Sequence, residues 1–138
     1  MSDLILIVED DENDVLLVKQ TFIQAHLINP VIALQSSEEA MTYLEGKPPY
    51  ANRVRYPLPS ILFLDLKLIG KDGLSLLTWL RETRLIERMM VVVLSGYHEM
   101  NLVNTAYHLG AKSFLTKPVH VKDLTNLMLA YPQGWIRG

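Results

Sequence analysis

The sequence lacks three features that would each indicate a class of protein: cysteine, an excess of positive charge and a long apolar run. Without cysteine, the 138-residue chain cannot form disulfides, iron–sulfur clusters or thiolate zinc sites. Thirteen basic residues stand against fifteen acidic ones, so the net charge of −2 gives no positive field for nucleic acid. The longest apolar runs are too short to span a membrane, and the N-terminus has no signal-peptide pattern. These absences predict a cytoplasmic protein that binds neither DNA nor membrane.

The length and composition predict one folded domain. Apolar residues make up 49% of the chain and charged residues 20%, as in compact globular proteins. A chain of this length supports one substantial core rather than two. We therefore expect a single domain over residues 1–138, with residues 132–138 as a C-terminal tail and no separate effector domain.

Short apolar runs alternate with segments of helical periodicity along the whole chain. Continuous apolar runs are typical of strands buried on both faces of a sheet. They lie at residues 4–8, 31–34, 61–64 and 91–94, and residues 113–116 are predicted to form a short fifth strand. Five such units in succession predict an α/β fold, with a parallel sheet and helices on both of its faces. The irregular segment 47–59 holds four of the seven prolines and is predicted to be an exposed loop.

Charged and polar side chains follow the ends of four of the predicted strands. Glu9 and Asp10 come after the first apolar run, Asp65 after the third, Ser95 after the fourth and Lys117 after the fifth. Ligands of parallel sheets bind beyond the carboxyl ends of the strands, so these side chains are expected to meet. Two carboxylates ~4 Å apart repel by about 4 kcal/mol at an intermediate dielectric, which Lys117 and a hard cation such as Mg²⁺ would offset.

This group of side chains predicts phosphoryl chemistry. A carboxylate held beside Mg²⁺ and a lysine can attack a phosphoryl group and form an acyl phosphate. The chain has no glycine-rich loop of the kind that cradles a triphosphate, so the phosphoryl donor is expected to come from another molecule. A dehalogenase-type phosphohydrolase is excluded because Lys67 stands where that motif needs a second aspartate.

Five motifs in register resemble a two-component response regulator receiver domain. They are residues 5–11 (ILIVEDD), 62–66 (LFLDL), 71–73 (KDG), 93–96 (VLSG) and 114–118 (FLTKP). The resemblance implies a flavodoxin-like fold, a doubly wound five-stranded sheet of order 2-1-3-4-5 with five helices. The proline-rich loop, the Gly-Lys-Asp-Gly turn at residues 70–73 and the expected lack of an effector domain resemble the stand-alone receivers that accompany bacterial phytochrome kinases.

The resemblance implies a phosphorylation site and a metal site. Asp65 matches the phosphorylated aspartate. Asp10 matches a direct Mg²⁺ ligand, Glu9 a ligand that acts through bound water, and Lys67 a donor of its backbone carbonyl to the metal. The family commonly has proline four residues after the phosphorylated aspartate, and this chain has Ile69 there, so the loop after the third strand is expected to be looser.

The resemblance also implies a switch around the phosphoryl group. Ser95 matches the switch hydroxyl, Phe114 the aromatic switch residue and Lys117 the lysine that pairs with the phosphoryl group. The Lys117–Pro118 bond is expected to be cis. Lys67 and Tyr97 occupy two variable positions beside the phosphoryl group, and the hypothesis is that they set its rate of hydrolysis.

The resemblance predicts a signalling protein rather than a turnover enzyme. A sensor histidine kinase, of the phytochrome type in the narrower resemblance, would phosphorylate Asp65. The receiver would assist its own phosphorylation and dephosphorylation and signal by contact with an output protein that the sequence does not identify. The alternative is a receiver-like interaction module that is never phosphorylated, and Ile69 is its only support.

Two acidic residues of the first helix and two apolar residues of the tail lie outside these motifs. Glu12 and Asp14 are predicted to be solvated and to offset the dipole of the first helix. The apolar pair Trp135 and Ile136 lies in a glycine-flanked tail that either folds back on the domain or contacts another chain. Of these alternatives, the contact within a homodimer is the preferred prediction.

Overall fold

The alternation of apolar runs and helical segments produces a five-stranded parallel sheet. The computed structural model describes residues 2–68 and 73–138. In chain order the elements are β1 (Ile5–Val8), α1 (Glu12–Gln24), β2 (Val31–Leu34), α2 (Ser37–Glu45), β3 (Ile61–Asp65), α3 (Gly73–Glu82), β4 (Met90–Ser95), α4 (Val103–His108), β5 (Ser113–Thr116) and α5 (Val121–Ala130). The strand order is β2-β1-β3-β4-β5, which confirms the predicted fold and topology. Across the described ranges, every helix is too short or too polar to span a membrane.

Two apolar layers cover the two faces of the sheet. Alternate residues of β1 and β3 enter opposite layers, because successive side chains of a strand point to opposite faces. Leu62 and Leu64 pack with the helices α2, α3 and α4. Ile7 and Phe63 pack with α1 and α5. The central strands are therefore apolar on both faces, and their first polar residues occur where they end.

The start of α1 is fixed by its own acidic residues. Asp11 has an extended backbone, and its Oδ1 accepts hydrogen bonds from the backbone N–H of Asn13 at 2.8 Å and of Asp14 at 3.3 Å. This is the arrangement of a helix N-cap. The N–H of Asp11 in turn donates to Glu9 Oε2 at 3.2 Å. The cap therefore determines how the chain turns directly after β1.

The segment 47–59 is a loop with many exposed residues, as predicted, but part of it packs on α2. Tyr50 and Tyr56 pack on the buried Tyr43, with ring centroids 5.0 and 6.0 Å from it. The guanidinium of Arg53 donates to the backbone carbonyls of Tyr43 at 2.8 Å and Leu44 at 2.6 Å, at the end of α2. Part of the segment is thus a folded cap on α2. Sequence periodicity could not show this, since the cap depends on hydrogen bonds between side chain and backbone.

The C-terminal tail folds back on the domain. The buried side chain of Asn29 donates to Gly134 O at 2.8 Å and accepts from the N–H of Ile136 at 2.8 Å. Trp135 packs against Phe63, with ring centroids 6.1 Å apart. Of the two outcomes predicted for Trp135 and Ile136, the structure shows the intramolecular one, so the preferred assignment of this pair to a dimer contact is not supported. The homodimer itself stays a prediction.

Candidate functional site

A cavity of about 510 Å³ opens at the carboxyl end of the sheet, where β1, β3 and β5 end. Parallel pairing of β1 with β3 aligns Val8 with Leu64, so the residues that follow these two strands become neighbours. The turn after β5 brings Lys117 to the same edge, where its N–H donates to Ser95 O at 3.0 Å. The cavity is lined by Glu9, Asp10, Asp11, Glu12, Asn13, Asp14, Asp65, Lys67 and Lys117.

Lys117 lies at the centre of the site. Its Nζ is 2.7 Å from Glu9 Oε1, 2.9 Å from Asp65 Oδ2 and 3.0 Å from Asp14 Oδ2. The side chains of Glu9 and Asp65 are 0% and 2% exposed, whereas that of Asp14 is 33% exposed. The Lys117–Pro118 peptide bond is cis. The lysine thus joins the ends of β1, β3 and β5 through one ammonium group.

Asp65 is held by one further hydrogen bond, and the start of α3 packs closely on its backbone. Its Oδ1 accepts a hydrogen bond from the N–H of Lys67 at 3.0 Å, while Oδ2 faces Lys117. The first residue of α3, Gly73, packs directly on the end of β3. A Cβ at Gly73 would lie 2.8 Å from the carbonyl oxygen of Asp65, so only glycine allows this approach. The side chain of Asp65 is therefore fixed on both oxygens before any ligand arrives.

The residues present fit a hard divalent cation. One carboxylate oxygen from each of Glu9, Asp10 and Asp65 lies within 4.8 Å of the others. Glu9 Oε1 is buried, and despite its short distance to Lys117 it has no hydrogen bond of good geometry. An all-oxygen set with a buried, incompletely satisfied oxygen is the chemistry that Mg²⁺ and similar ions accept. These three carboxylates would hold the ion.

The electrostatics of the metal-free site favour a proton on Glu9. Burial, followed by the hydrogen bond to Asp65, raises the pKa of Glu9 to about 8. Burial acts to lower the pKa of Lys117, but its contacts with the carboxylates of Glu9 and Asp65 outweigh burial, and the pKa of Lys117 lies above its ordinary value. Lys117 therefore stays charged, but its single positive charge does not neutralise all the carboxylates around it.

The stability of the metal-free protein is expected to fall between about pH 4.5 and pH 8 because of Glu9. Its pKa is higher in the folded protein than in the unfolded chain, so the folded protein holds an extra proton in this interval. The stabilisation is complete below the ordinary pKa and is lost as the pH rises through the folded value. We expect Glu9→Gln to remove this part of the slope, a difference of roughly 2–5 kcal/mol. Urea unfolding in EDTA at a series of pH values measures it.

If the free energy of unfolding changes with pH equally in the wild type and in Glu9→Gln, Glu9 is not the source of the pH dependence. Glu38→Gln serves as the matched control, because Glu38 lies in the first turn of α2, outside the cavity lining. Its slope is expected to match that of the wild type.

The predicted switch residues lie around the site without entering the cavity lining. Ser95 is buried at the end of β4, and its hydroxyl donates to the carbonyl of Gly96 at 3.2 Å. Phe114 on β5 is half-buried and meets Tyr107 edge-on, with ring centroids 6.2 Å apart. Tyr97 is 89% exposed and faces His98 rather than the cavity.

The two proposed hydrolysis-tuning residues therefore differ in position. Lys67 lines the cavity and has an exposed side chain, whereas Tyr97 lies outside the lining. Ile69 and most of the motif 71–73 fall on residues 69–72, which are outside the described residues. The expectation of a looser loop there stays a prediction.

Asp14 is the site residue that the sequence interpretation missed. Its place in the first turn of α1 predicts a solvated side chain that offsets the helix dipole, but its carboxylate contacts Lys117. The available signal was its spacing from Asp10: residues four apart lie on the same face of a helix. Because Asp10 precedes the helical residues of α1, this spacing alone did not show which way Asp14 points.

The chain is similar to known response regulators over nearly its whole length. The family model described as response regulator receiver domain matches residues 5–129. Response regulator Rcp1 from Synechocystis sp. is 31% identical over 133 residues, which represent 96% of this chain and 88% of Rcp1.

Solved structures give the same result. The bacteriophytochrome response regulator RtBRR superposes with a TM-score of 0.81 at 30% identity, covering 94% of this chain and 77% of RtBRR. The phosphorylated cyanobacterial phytochrome response regulator RcpA superposes with a TM-score of 0.77 at 27% identity, covering 98% and 94% of the two chains. The Mn²⁺-bound form of Rcp1 superposes with a TM-score of 0.74 at 31% identity, covering 92% and 89%.

Proposed function

The chain belongs to the response regulator receiver domain family, and from this membership we propose that it accepts a phosphoryl group on Asp65 with the help of Mg²⁺. The observation that carries the proposal is the buried carboxylate of Asp65. It faces Lys117 at 2.9 Å on one side and shares a cluster of metal-binding oxygens with Glu9 and Asp10 on the other. A carboxylate in this position can accept a phosphoryl group, because Lys117 and a bound cation would offset the negative charge and the cavity gives the donor access.

The transfer is a displacement at phosphorus. A carboxylate oxygen of Asp65 forms the new bond to phosphorus, and the bond from phosphorus to the donor nitrogen of a phosphohistidine breaks. The electron pair stays on the imidazole, which is released. Lys117 donates to an equatorial phosphoryl oxygen and keeps its proton throughout. Bound Mg²⁺ would supply further neutralisation of the transferring oxygens, and the Mn²⁺-bound form of Rcp1 supports a divalent metal at this type of site.

The readout of phosphorylation involves Ser95 and Phe114. In the unphosphorylated protein the Ser95 hydroxyl donates to the Gly96 carbonyl. A phosphoryl oxygen on Asp65 offers a charged and therefore stronger acceptor. Rotation of Ser95 towards it would change the packing beside Phe114 and Tyr107, which are in edge-on contact. The protein would thereby shift between two conformations that present different surfaces.

The partner is a sensor histidine kinase, and the names of RtBRR and RcpA favour one of the phytochrome type. The output is contact with a second protein, and a homodimer stays part of the proposal. Lys67 is the better supported of the two residues proposed to tune hydrolysis, because it lines the cavity. Tyr97 would reach the phosphoryl group only after its segment moves.

Phosphorylation is tested with acetyl phosphate and intact mass. We expect a gain of about 80 Da that requires Mg²⁺, disappears in excess EDTA and is removed by hydroxylamine, which cleaves acyl phosphates. The modified peptide is expected to contain residues 61–68. No mass gain, together with no spectral change on addition of beryllium fluoride and Mg²⁺, would overturn the proposal and favour the interaction module that is never phosphorylated.

A further inference from the structure

The ammonium group of Lys117 is surrounded by carboxylates: it donates hydrogen bonds to Asp65 and Asp14 and forms a close ion pair with Glu9. A lysine carries three N–H donors. In the structure the three carboxylates of Glu9, Asp65 and Asp14 lie 2.7, 2.9 and 3.0 Å from Nζ. A phosphoryl oxygen that contacts Lys117 during transfer to Asp65 therefore has to compete with these carboxylates for the ammonium group.

Asp14 is the partner that is easiest to release. Glu9 and Asp65 are essentially buried, and a buried carboxylate that loses its cation is left without water to replace it. The side chain of Asp14 is 33% exposed and comes from α1 rather than from the end of a strand. Water can therefore solvate Asp14 when Lys117 turns away from it. Asp14 also gives the longest of the three contacts.

We propose that Asp14 is a positioning residue that competes with the incoming phosphoryl group for Lys117 and thereby slows phosphorylation. The inference rests on the proposed function, since it concerns how Asp65 accepts the group. As the oxygen–phosphorus bond to Asp65 forms and the bond from phosphorus to the donor breaks, Lys117 exchanges its hydrogen bond to Asp14 for one to a phosphoryl oxygen. No proton is transferred in this exchange. In the phosphorylated protein Asp14 is solvated and no longer contacts the lysine.

The variant Asp14→Asn tests the exchange. Asparagine keeps the size of the side chain but loses the charge, so its hydrogen bond to Lys117 is weaker. We expect phosphorylation by acetyl phosphate in Mg²⁺ to become about fivefold faster, the effect of one partly exposed ion pair. Hydrolysis of the aspartyl phosphate is expected to stay within about twofold of wild type, since Asp14 is already released in the phosphorylated state.

Glu12→Gln provides the matched control. Glu12 lies on the same turn of α1 and lines the same cavity, but it is not among the described carboxylate partners of Lys117. We expect this loss of one negative charge to change phosphorylation by less than about twofold. Both rates are measured by intact mass over time, the second after removal of acetyl phosphate.

Three results would overturn the assignment of Asp14. The first is an unchanged or slower phosphorylation of Asp14→Asn. The second is an equal acceleration in Glu12→Gln, which would indicate general charge repulsion instead of competition for Lys117. The third is a comparable change in the hydrolysis rate of Asp14→Asn. If wild type gains no mass at all, the proposed function itself fails and the inference fails with it, so the two failures are distinguishable.

Discussion

Asp65→Asn is expected to abolish phosphorylation and, in the absence of metal, to make the folded protein more stable. Asparagine has nearly the same shape, but its neutral amide cannot form the acyl phosphate. The side chain of Asp65 is 2% exposed and shares its surroundings with Glu9 and Asp10. In this position a negative charge is both desolvated and repelled, and Lys117 offsets only part of that cost. In the wild type Oδ1 accepts from the N–H of Lys67 and Oδ2 from Lys117, so the single amide oxygen of asparagine can keep one of these two hydrogen bonds.

The expected gain in the free energy of unfolding is about 1–2 kcal/mol, the repulsion removed less the attraction to Lys117 that is lost. Urea unfolding in EDTA at pH 8 measures it, and intact mass measures phosphorylation in the same samples. Asp3→Asn is the matched control, because Asp3 precedes β1 at the opposite end of the sheet. If Asp65→Asn in EDTA is no more stable than the wild type, repulsion among the carboxylates does not destabilise the folded protein. Persistent Mg²⁺-dependent labelling would exclude Asp65 as the acceptor.

The fold and the position of the site could be predicted from sequence because both depend on strong local patterns. The central strands β1 and β3 are buried on both faces, so each appears as an uninterrupted apolar run that ends at a charged residue. Once five runs alternate with helical segments, the parallel topology follows. Glu9, Asp10, Asp65 and Lys117 must then meet at one edge.

The parts that could not be predicted depend on the direction of individual side chains. The role of Asp14 depends on the rotation of α1 about its axis, which the cap at Asp11 sets. The order in the segment 47–59 depends on Arg53 reaching backbone carbonyls at the end of α2. The return of the tail depends in part on the buried amide of Asn29. Hydrogen bonds of this kind leave no periodic signal in a sequence.

Lys117→Met carries the opposite expectation to Asp65→Asn, since it removes the cation and leaves the carboxylates. Methionine is similar in length to the lysine stem and keeps the packing of a side chain that is 19% exposed. Asp65 is then a buried charge without an opposite one, while Glu9, whose pKa is already raised to about 8, keeps its proton. Breaking a buried ion pair on one side typically costs about 3–5 kcal/mol, and we expect a loss of this size in EDTA at pH 8. Lys112→Met is the matched control, because Lys112 is exposed at the amino end of β5.

Mg²⁺ separates the structural role of Lys117 from its chemical role. Mg²⁺ binds the same carboxylates that lose their partner when the lysine is replaced. Saturating Mg²⁺ is therefore expected to restore most of the stability that Lys117→Met loses. It cannot restore the N–H donor to the phosphoryl oxygen, and labelling by acetyl phosphate is expected to stay at least about 100-fold slower than in wild type. Recovery of labelling together with stability would mean that Lys117 acts only as a counterion. Loss of stability that Mg²⁺ does not recover would mean that the damage lies in packing rather than in charge.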